Sequence, residues 1–401
     1  MTNWKEYKFG DLLQEPVRNG IYKAKEYHGR GTKIVNMGEL FTYPRLTDVD
    51  MKRVEISDNE RKKSLLKSGD LIFARRSLTA EGAGKCSLVY NIYDETTFES
   101  SIIRARINNN IASSEFLYYY FNSPYGKYLI GTILRQVAVA GITGSDLIDL
   151  PLKIPVYDCQ FQIASILTSL DDKIDLLHRQ NKTLEQLAET LFRQWFIIDG
   201  ITGFNETLGD YVESANTGLD AIKRAPIVEY ETGIKCLRIQ DISQNKTIER
   251  WGNSDVMVHN FKKFQLLTDD IIMARTCSPG INLFIREDLP AVFNNGLVRI
   301  RARKDRVYPI LLNSLFNTRE FIGHIDGISG GTSVQLNMQV GDLLAYEISF
   351  PTINKQNEII ENFFAIDKKK SHNLTQIRTL TQLRDTLLPK LMSGEVRVAV
   401  K

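Results

Sequence analysis

The chain has 401 residues, of which 43% are hydrophobic and 25% charged, and its net charge is +3. That length supports two or three domains with real cores, and the balance is ordinary for globular protein, which excludes disordered and fibrous classes. No run of about 18 apolar residues predicts a membrane span, and the charged opening MTNWKEYKFG has no apolar stretch of the secretory kind, so a cytoplasmic protein is expected.

Residues 1–154 read as a first globular part of short strands and helices. GDLIFARRS (Gly69 to Ser77) and SSIIRARI (Ser100 to Ile107) are strand-like, aliphatic runs with polar insertions at period 2. SSEFLYYYFNSPYGKYLI reads as a helical pair. From Cys159 to Phe196 apolar residues recur at Ile163, Leu167, Leu170, Ile174, Leu177, Leu184, Ala188, Leu191 and Trp195, an alternating 4,3 spacing with Asn181 at one seam position. This is the seam of a coiled coil, in which a single Asn fixes register. Asp158, three residues after Pro155, is placed to cap the helix start.

The phrases then recur. DDIIMARTC (Asp269 to Cys277) repeats GDLIFARRS, with Asp70 and Asp270 lying 200 positions apart. LVRIRARK repeats IIRARI, and YFNSPYGKYL lies over LFNTREFIGH. PVYDCQFQIASILTSLDDKI lies without gaps over PTINKQNEIIENFFAIDKKK, pairing Pro155 with Pro351, Gln160 with Gln356 and Asp171 with Asp367. The offset stays between 195 and 202 throughout, so the chain is a duplication of one large unit. The second seam reads Ile359, Phe363, Ile366, Ile377, Leu380, Leu387 and Leu391, with Asn354 as its cap, interrupted by Lys370, Asn373 and Arg384. It is expected to stop at LLPKLMSGE, at Pro389 and then Gly394.

Two helices of about 35 residues, roughly 50 Å each at 1.5 Å per residue, must pair with each other or with another chain to bury their stripes. The predicted fold is therefore α+β and internally duplicated. Two globular α/β parts (1–154 and 199–350) are expected to be separated by two long antiparallel coiled-coil helices (155–198 and 351–401) related by a pseudo-two-fold axis. Helix pairing is expected at Ile163, Leu167, Leu170, Ile174, Leu177, Asn181, Leu184, Leu191, Ile359, Phe363, Ile366, Ile377, Leu380 and Leu387.

Arginines sit on the strands at spacing two: Arg104 with Arg106, and Arg299 with Arg301 and Arg303. Residues two apart share a strand face, so each globular part could present an arginine row. Arg75, Arg76 and Arg275 end their strands and lead into glycine-containing loops; Lys33, Lys85, Lys235 and Arg238 add charge. For any one of these the plain reading is a solvated face with local salt bridges. As a group on two duplicated domains they become candidates for contacting DNA, where two half-sites along a duplex suit two similar basic domains.

Catalytic signals are missing. NSPY (Asn122 to Tyr125) looks like the Asn-Pro-Pro-Tyr loop of adenine methyltransferases, but Ser123 replaces a proline, its repeat mate is NTRE, and no glycine-rich cofactor turn accompanies it; it reads as a helix end. GISGG at Gly327 precedes no clear helix. No Walker loop occurs, and neither the four cysteines nor the five histidines have metal-ligand spacing. No metal site and no cofactor are expected in this chain.

Together these residues resemble the specificity subunits of type I restriction–modification systems, along essentially the whole chain. The resemblance is carried by Pro155, Gln160, Ile163, Leu170, Asp171 or Asp172, Lys173, Ile174, then Leu191, Phe192, Arg193, Trp195 and Phe196, by the Leu-Pro-Lys-Leu ending, and by the GDLIFAR-type strands. The second copy departs at Lys370. The resemblance implies that each globular part reads one half of a split double-stranded DNA target and that the helices set the gap and dock two modification subunits. Those partners would hold S-adenosylmethionine, and restriction subunits would use ATP and magnesium. The chain itself would be a non-catalytic address. A coiled-coil adaptor that binds only proteins is the alternative, and a free-standing methyltransferase a third reading disfavoured by the missing cofactor loop.

Overall fold

The computed structural model describes residues 4–136, 140–198, 206–220, 222–329 and 336–398. Gly330 and Gly331 of GISGG, and the passage from the first long helix into the second globular part, lie outside the described residues.

The chain forms two compact units, residues 1–177 with 375–401, and residues 178–374. In the first, a five-stranded sheet runs in the order Arg18–Asn19, Ile102–Arg106, Asp70–Ala74, Cys86–Val89, Arg45–Leu46. In the second, the corresponding sheet has four strands, Val212–Thr217, Leu297–Ala302, Ile271–Ala274 and Asn282–Phe284. Register matches between the copies: Arg104 stands opposite Ile72, and Arg299 opposite Ile272. Each unit also holds a parallel pair outside that sheet, His28–Val35 with Thr96–Phe98 and Lys235–Leu237 with Ala291–Phe293, and in the first unit Arg45–Leu46 runs parallel to Cys86–Val89 as well.

The repeated phrase is buried on both faces. Leu71 and Phe73 enter one core, while Ile72 and Ala74 enter another. In the second unit Ile271 and Met273 divide from Ile272 and Ala274 in the same way. A strand covered on both sides reads as a continuous apolar run, and period 2 then sorts residues between two cores instead of between core and solvent.

The long helices are Tyr157–Phe192 and Ile360–Ser393. In the first unit Ile163 and Leu167 join Leu391 in the main core, with Leu387 packed against it and Leu170 half-buried. Ile174 and Leu177 then meet Ile377, with Leu380 beside them. In the second unit Asn181 is buried and donated to by Asn373 at 2.9 Å, Leu184 is half-buried, Ile366 is buried, and Ile359 and Phe363 enter the core with Leu191 against it. Within each unit numbers rise along one helix as they fall along the other, so the stretches run antiparallel.

Four helical expectations are corrected. The first seam does not continue through Trp195, which is 46% exposed; Phe192 and Phe196 are buried instead. Residues Arg193–Ile198 form a π-helix, whose wider turn rotates the side chains out of heptad phase. Asp158 does not cap that helix; it lies in the first turn, where its charge suits the helix's positive end. The second helix begins late: Ile353–Gln356 forms a separate turn with Asn354 inside it, and Thr352 offers no side-chain capping bond to anchor a longer start. At the far end it runs through Pro389, because buried Leu391 and Met392 hold its last turn, and it stops at Gly394 with φ +75°.

One device is duplicated at the junction of helix and globular part. Gln160 is buried; its Nε2 donates to Pro155 O at 2.9 Å and its Oε1 accepts from Ser113 N at 3.0 Å. Gln356, also buried, donates to Pro351 O at 2.7 Å and Arg306 O at 2.8 Å and accepts from Tyr308 N at 3.1 Å. Ser113 and Tyr308 each precede a helix, Ser114–Asn122 and Pro309–Leu315. Gln160 thus ties the first long helix, and Gln356 the short turn that leads into the second, to a helix of its own globular part.

Candidate nucleic-acid interface

The arginine rows share a strand face as expected, but that face is covered. Arg104 is 2% exposed and donates to Lys63 O, Leu65 O and Glu15. Arg299 is buried and donates to Lys263 O and Gln265 O. These carbonyls end the helices Asp58–Ser64 and Val258–Phe264. The last carbonyls of a helix lack partners of their own, and a guanidinium supplies several N–H donors to them at once. Arg106 clasps Asp70 through Nε (2.7 Å) and Nη2 (2.8 Å), and Arg301 clasps Asp270 through Nε (2.6 Å). Both aspartates are buried, and their free lone pairs take Lys67 N and Leu267 N. Burial lowers the Arg104 and Arg299 pKa values; Arg301 is raised, first by its hydrogen bond to Asp270, and Arg106 is raised because strong burial is outweighed by Asp70 and Glu15 together. The arginine pairs therefore serve as internal clasps, and no arginine row is presented at the surface by Arg104, Arg106, Arg299 and Arg301.

Lys33 is buried between Asp48 and Asp94, whose hydrogen bonds raise its pKa. Lys235 donates to Asn253 at 2.5 Å, and Arg238 pairs with Asp241 at 3.0 Å. Lys85 donates to Phe41 O at 2.7 Å; burial, then the charge of Lys127, pushes its pKa down. Arg76 and Arg303 are exposed.

Arg75 and Arg275 stand at corresponding strand exits. Each backbone N–H reaches the neighbouring turn, at Ser101 O (2.8 Å) and Gly296 O (3.0 Å). Beyond them the copies diverge. Ala74 closes one loop by accepting from Gly84 N, and Ala274 closes a shorter one by accepting from Gly280 N. Both glycines have positive φ, and a Cβ on Gly84 would lie 2.2 Å from Ile130 Cγ2, so only glycine closes that loop. In the first unit the loop forms part of a small sheet in which Arg76 is opposite Gly141 and Gly141 opposite Arg135. Two exposed arginines flank a bare glycine there, with Leu78 standing 96% exposed in the loop. In the second unit Arg275 donates to Asn337 at 3.1 Å, and Cys277, at φ +62°, is exposed.

Sequence reasoning missed Arg135 and Arg45. Arg45 is buried, lies over Tyr90 and pairs with Asp172 and Asp175 of the first long helix. Nothing local signals it, because its partners are far away in the chain. Asn122 of NSPY donates to Cys86 O and Tyr118 O, and Ser123 Oγ caps the following helix at Gly126 N. That asparagine is committed to the fold as a helix end. Among the described residues no group of three or more His, Cys, Asp or Glu is placed to hold a metal ion, and no helix is long and apolar enough to cross a membrane.

Residues 1–186 match the family model described as Type I restriction modification DNA specificity domain. Over 99% of its length the chain is similar to the Type I restriction enzyme HindI specificity subunit of Haemophilus influenzae, with 24% identity and 100% of that protein covered. It is 23% identical to the Type I restriction enzyme MjaIX specificity subunit of Methanocaldococcus jannaschii, covering 99% of this chain and 97% of that one. The crystal structure of the type I restriction-modification system S subunit from M. genitalium superimposes with a TM-score of 0.59 at 14% identity, covering 97% of this chain and 96% of that one, a likeness of fold.

Proposed function

We propose that the chain is a type I restriction–modification specificity subunit, and that each of its globular units reads one half of a bipartite double-stranded DNA target. The observation that carries this is scaffold identity combined with surface divergence. The Asp70–Arg106 and Asp270–Arg301 clasps and the Gln160 and Gln356 ties repeat, while the loops after Arg75 and Arg275 differ in length, sheet pairing and charge. A recognition module keeps its frame and varies the part that meets base edges, while other basic groups hold phosphates. The exposed candidates are Arg76, Arg135 and the Leu78 loop in the first unit, and the Cys277 loop with Arg303 in the second.

The long helices set the distance between half-sites and dock two modification subunits. Those partners hold S-adenosylmethionine and act on the adenine, and restriction subunits supply ATP- and magnesium-dependent cleavage. This chain contributes no chemistry of its own and works in the cytoplasm. Exchanging residues 1–154 for those of a relative, followed by genome-wide adenine-methylation mapping, tests the reading. One half of the methylated motif should change while the other half and the gap persist. A wholly new motif, or an unchanged one, would count against it.

A further inference from the structure

The duplication gives each side chain a counterpart, and at one place the second unit lacks what fills the first. In the first unit Asp171, on the long helix, accepts from Tyr119 Oη at 2.7 Å and from Arg384 Nη1 at 2.9 Å. Tyr118 and Tyr119 are buried in the core beside it. The offsets that pair Asn122 with Asn317 and Gln160 with Gln356 map Tyr118 to Asn313, Tyr119 to Ser314, Asp171 to Asp367 and Arg384 to Ala188. Two rings and a guanidinium are thus replaced by three small side chains. Where they are missing, the second unit has a cleft of about 310 Å³, lined by Ala188, Asn313, Ser314 and Asp367 among others. That volume is at the small end of sites that hold a discrete ligand. The acidic group is retained but already paired: Arg286 holds Asp367 through Nε at 2.8 Å and Nη2 at 2.5 Å, while on the wall Glu185 pairs with Lys370 at 2.8 Å and Glu189 accepts from Arg319 N at 3.2 Å, with Lys182 beside them.

We propose that this cleft receives a tyrosine side chain, adjacent to an arginine, from a partner polypeptide, completing in trans what Tyr119 and Arg384 complete within the first unit. The shape is that of the missing rings, and the carboxylates of Asp367, Glu185 and Glu189 keep lone pairs that accept from a phenol hydroxyl and a guanidinium beside their present partners Arg286, Lys370 and Arg319 N. On the reading proposed above, that segment belongs to a modification subunit, so the two docking sites are unequal.

Two measurements decide it. Asn313→Tyr/Ser314→Tyr refills the cleft after the pattern of the first unit, and Ala188→Arg supplies the guanidinium alone. With the full chain, p-cresol at millimolar concentration is a probe of the tyrosine side chain. Saturation-transfer NMR should show it bound to wild type and absent from the double variant. No transfer to wild type, or equal transfer to both, overturns the inference. With the modification subunit of the same system, each variant should weaken binding at one of two sites at least tenfold and leave the other unchanged. Two unchanged sites would refute a partner in the cleft. A wild-type chain that bound no modification subunit would instead refute the proposed function and leave the p-cresol result to judge the cleft. Self-association of wild type that the variants abolish would assign the cleft to a second copy and overturn the proposed partner. Retained thermal stability of Ala188→Arg separates blocking from misfolding.

Discussion

Replacing Gln160 or Gln356 with leucine tests how the long helices are tied to the globular parts. Leucine has nearly the volume of glutamine, so packing is kept and only hydrogen bonds are removed. Gln160→Leu strands two buried groups, Pro155 O and Ser113 N. Gln356→Leu strands three, Pro351 O, Arg306 O and Tyr308 N. A stranded buried group costs about 1–3 kcal/mol. The expected losses are therefore about 2–4 kcal/mol at Gln160 and roughly 1 kcal/mol more at Gln356. Because the chain has two compact units, a single melting temperature would blur the comparison. Hydrogen-exchange mass spectrometry resolves it, with peptides covering residues 108–122 and 303–317 reporting each junction. Losses below about 1 kcal/mol in both variants, or a larger loss at Gln160 than at Gln356, would refute the reasoning.

Arg104→Met should destabilise the first unit by about 3 kcal/mol, because it takes the guanidinium from Lys63 O, leaves Leu65 O and Glu15 to Arg106 alone, and removes a buried charge from its partners; denaturant unfolding measures it. Arg76→Ala should change stability by less than about 0.5 kcal/mol, yet reduce the salt dependence of DNA binding by about one phosphate contact in a titration across salt concentrations. At the helix pair, Asn181 and Asn373 correspond to Ile377 and Leu177 of the first unit, which pack as apolar neighbours. Asn181→Ile or Asn373→Leu alone should destabilise, whereas the double variant should exceed wild type in a double-mutant cycle. Glu60 is held at about 2 by the hydrogen bond from Lys23 and then by Ser57 N. A carboxyl depressed in the folded state adds stability above its ordinary value of 4.5, and that stability is lost as pH falls toward about 2. Glu60→Gln should flatten the acid limb of the stability profile over that window.

How much of this could be read from the chain depends on the range of the interaction concerned. The duplication was legible because it needs only comparison of the sequence with itself. The helices were legible because a heptad is a local pattern. Their phase at Trp195 was not, because a π turn is chosen by what Phe192 and Phe196 pack against, not by the spacing of the residues themselves. The arginine rows show the same limit. Spacing two correctly put Arg104 and Arg106 on one face. Whether that face meets solvent depends on the Asp58–Ser64 helix, which precedes them by some 40 residues and laid its carbonyl end there. Arg45 and Tyr119 were invisible for a similar reason: each meets a helix far along the chain, at Asp172 and Asp171. The candidate recognition surface is thus the part least readable from sequence, since loops such as Arg75–Ala83 carry no periodicity.

The division of the chain into 1–177 with 375–401, and 178–374, sets an order of events during synthesis. Leu391 and Met392 complete the core that Phe9 and Leu12 begin. At about 5–20 residues per second, the ribosome spends tens of seconds between those two ends of one core. The second unit, contiguous in sequence, emerges whole and can fold during that interval. The first keeps the apolar face that Leu391 and Met392 cover open until the last helix arrives, so the half made first is the half completed last.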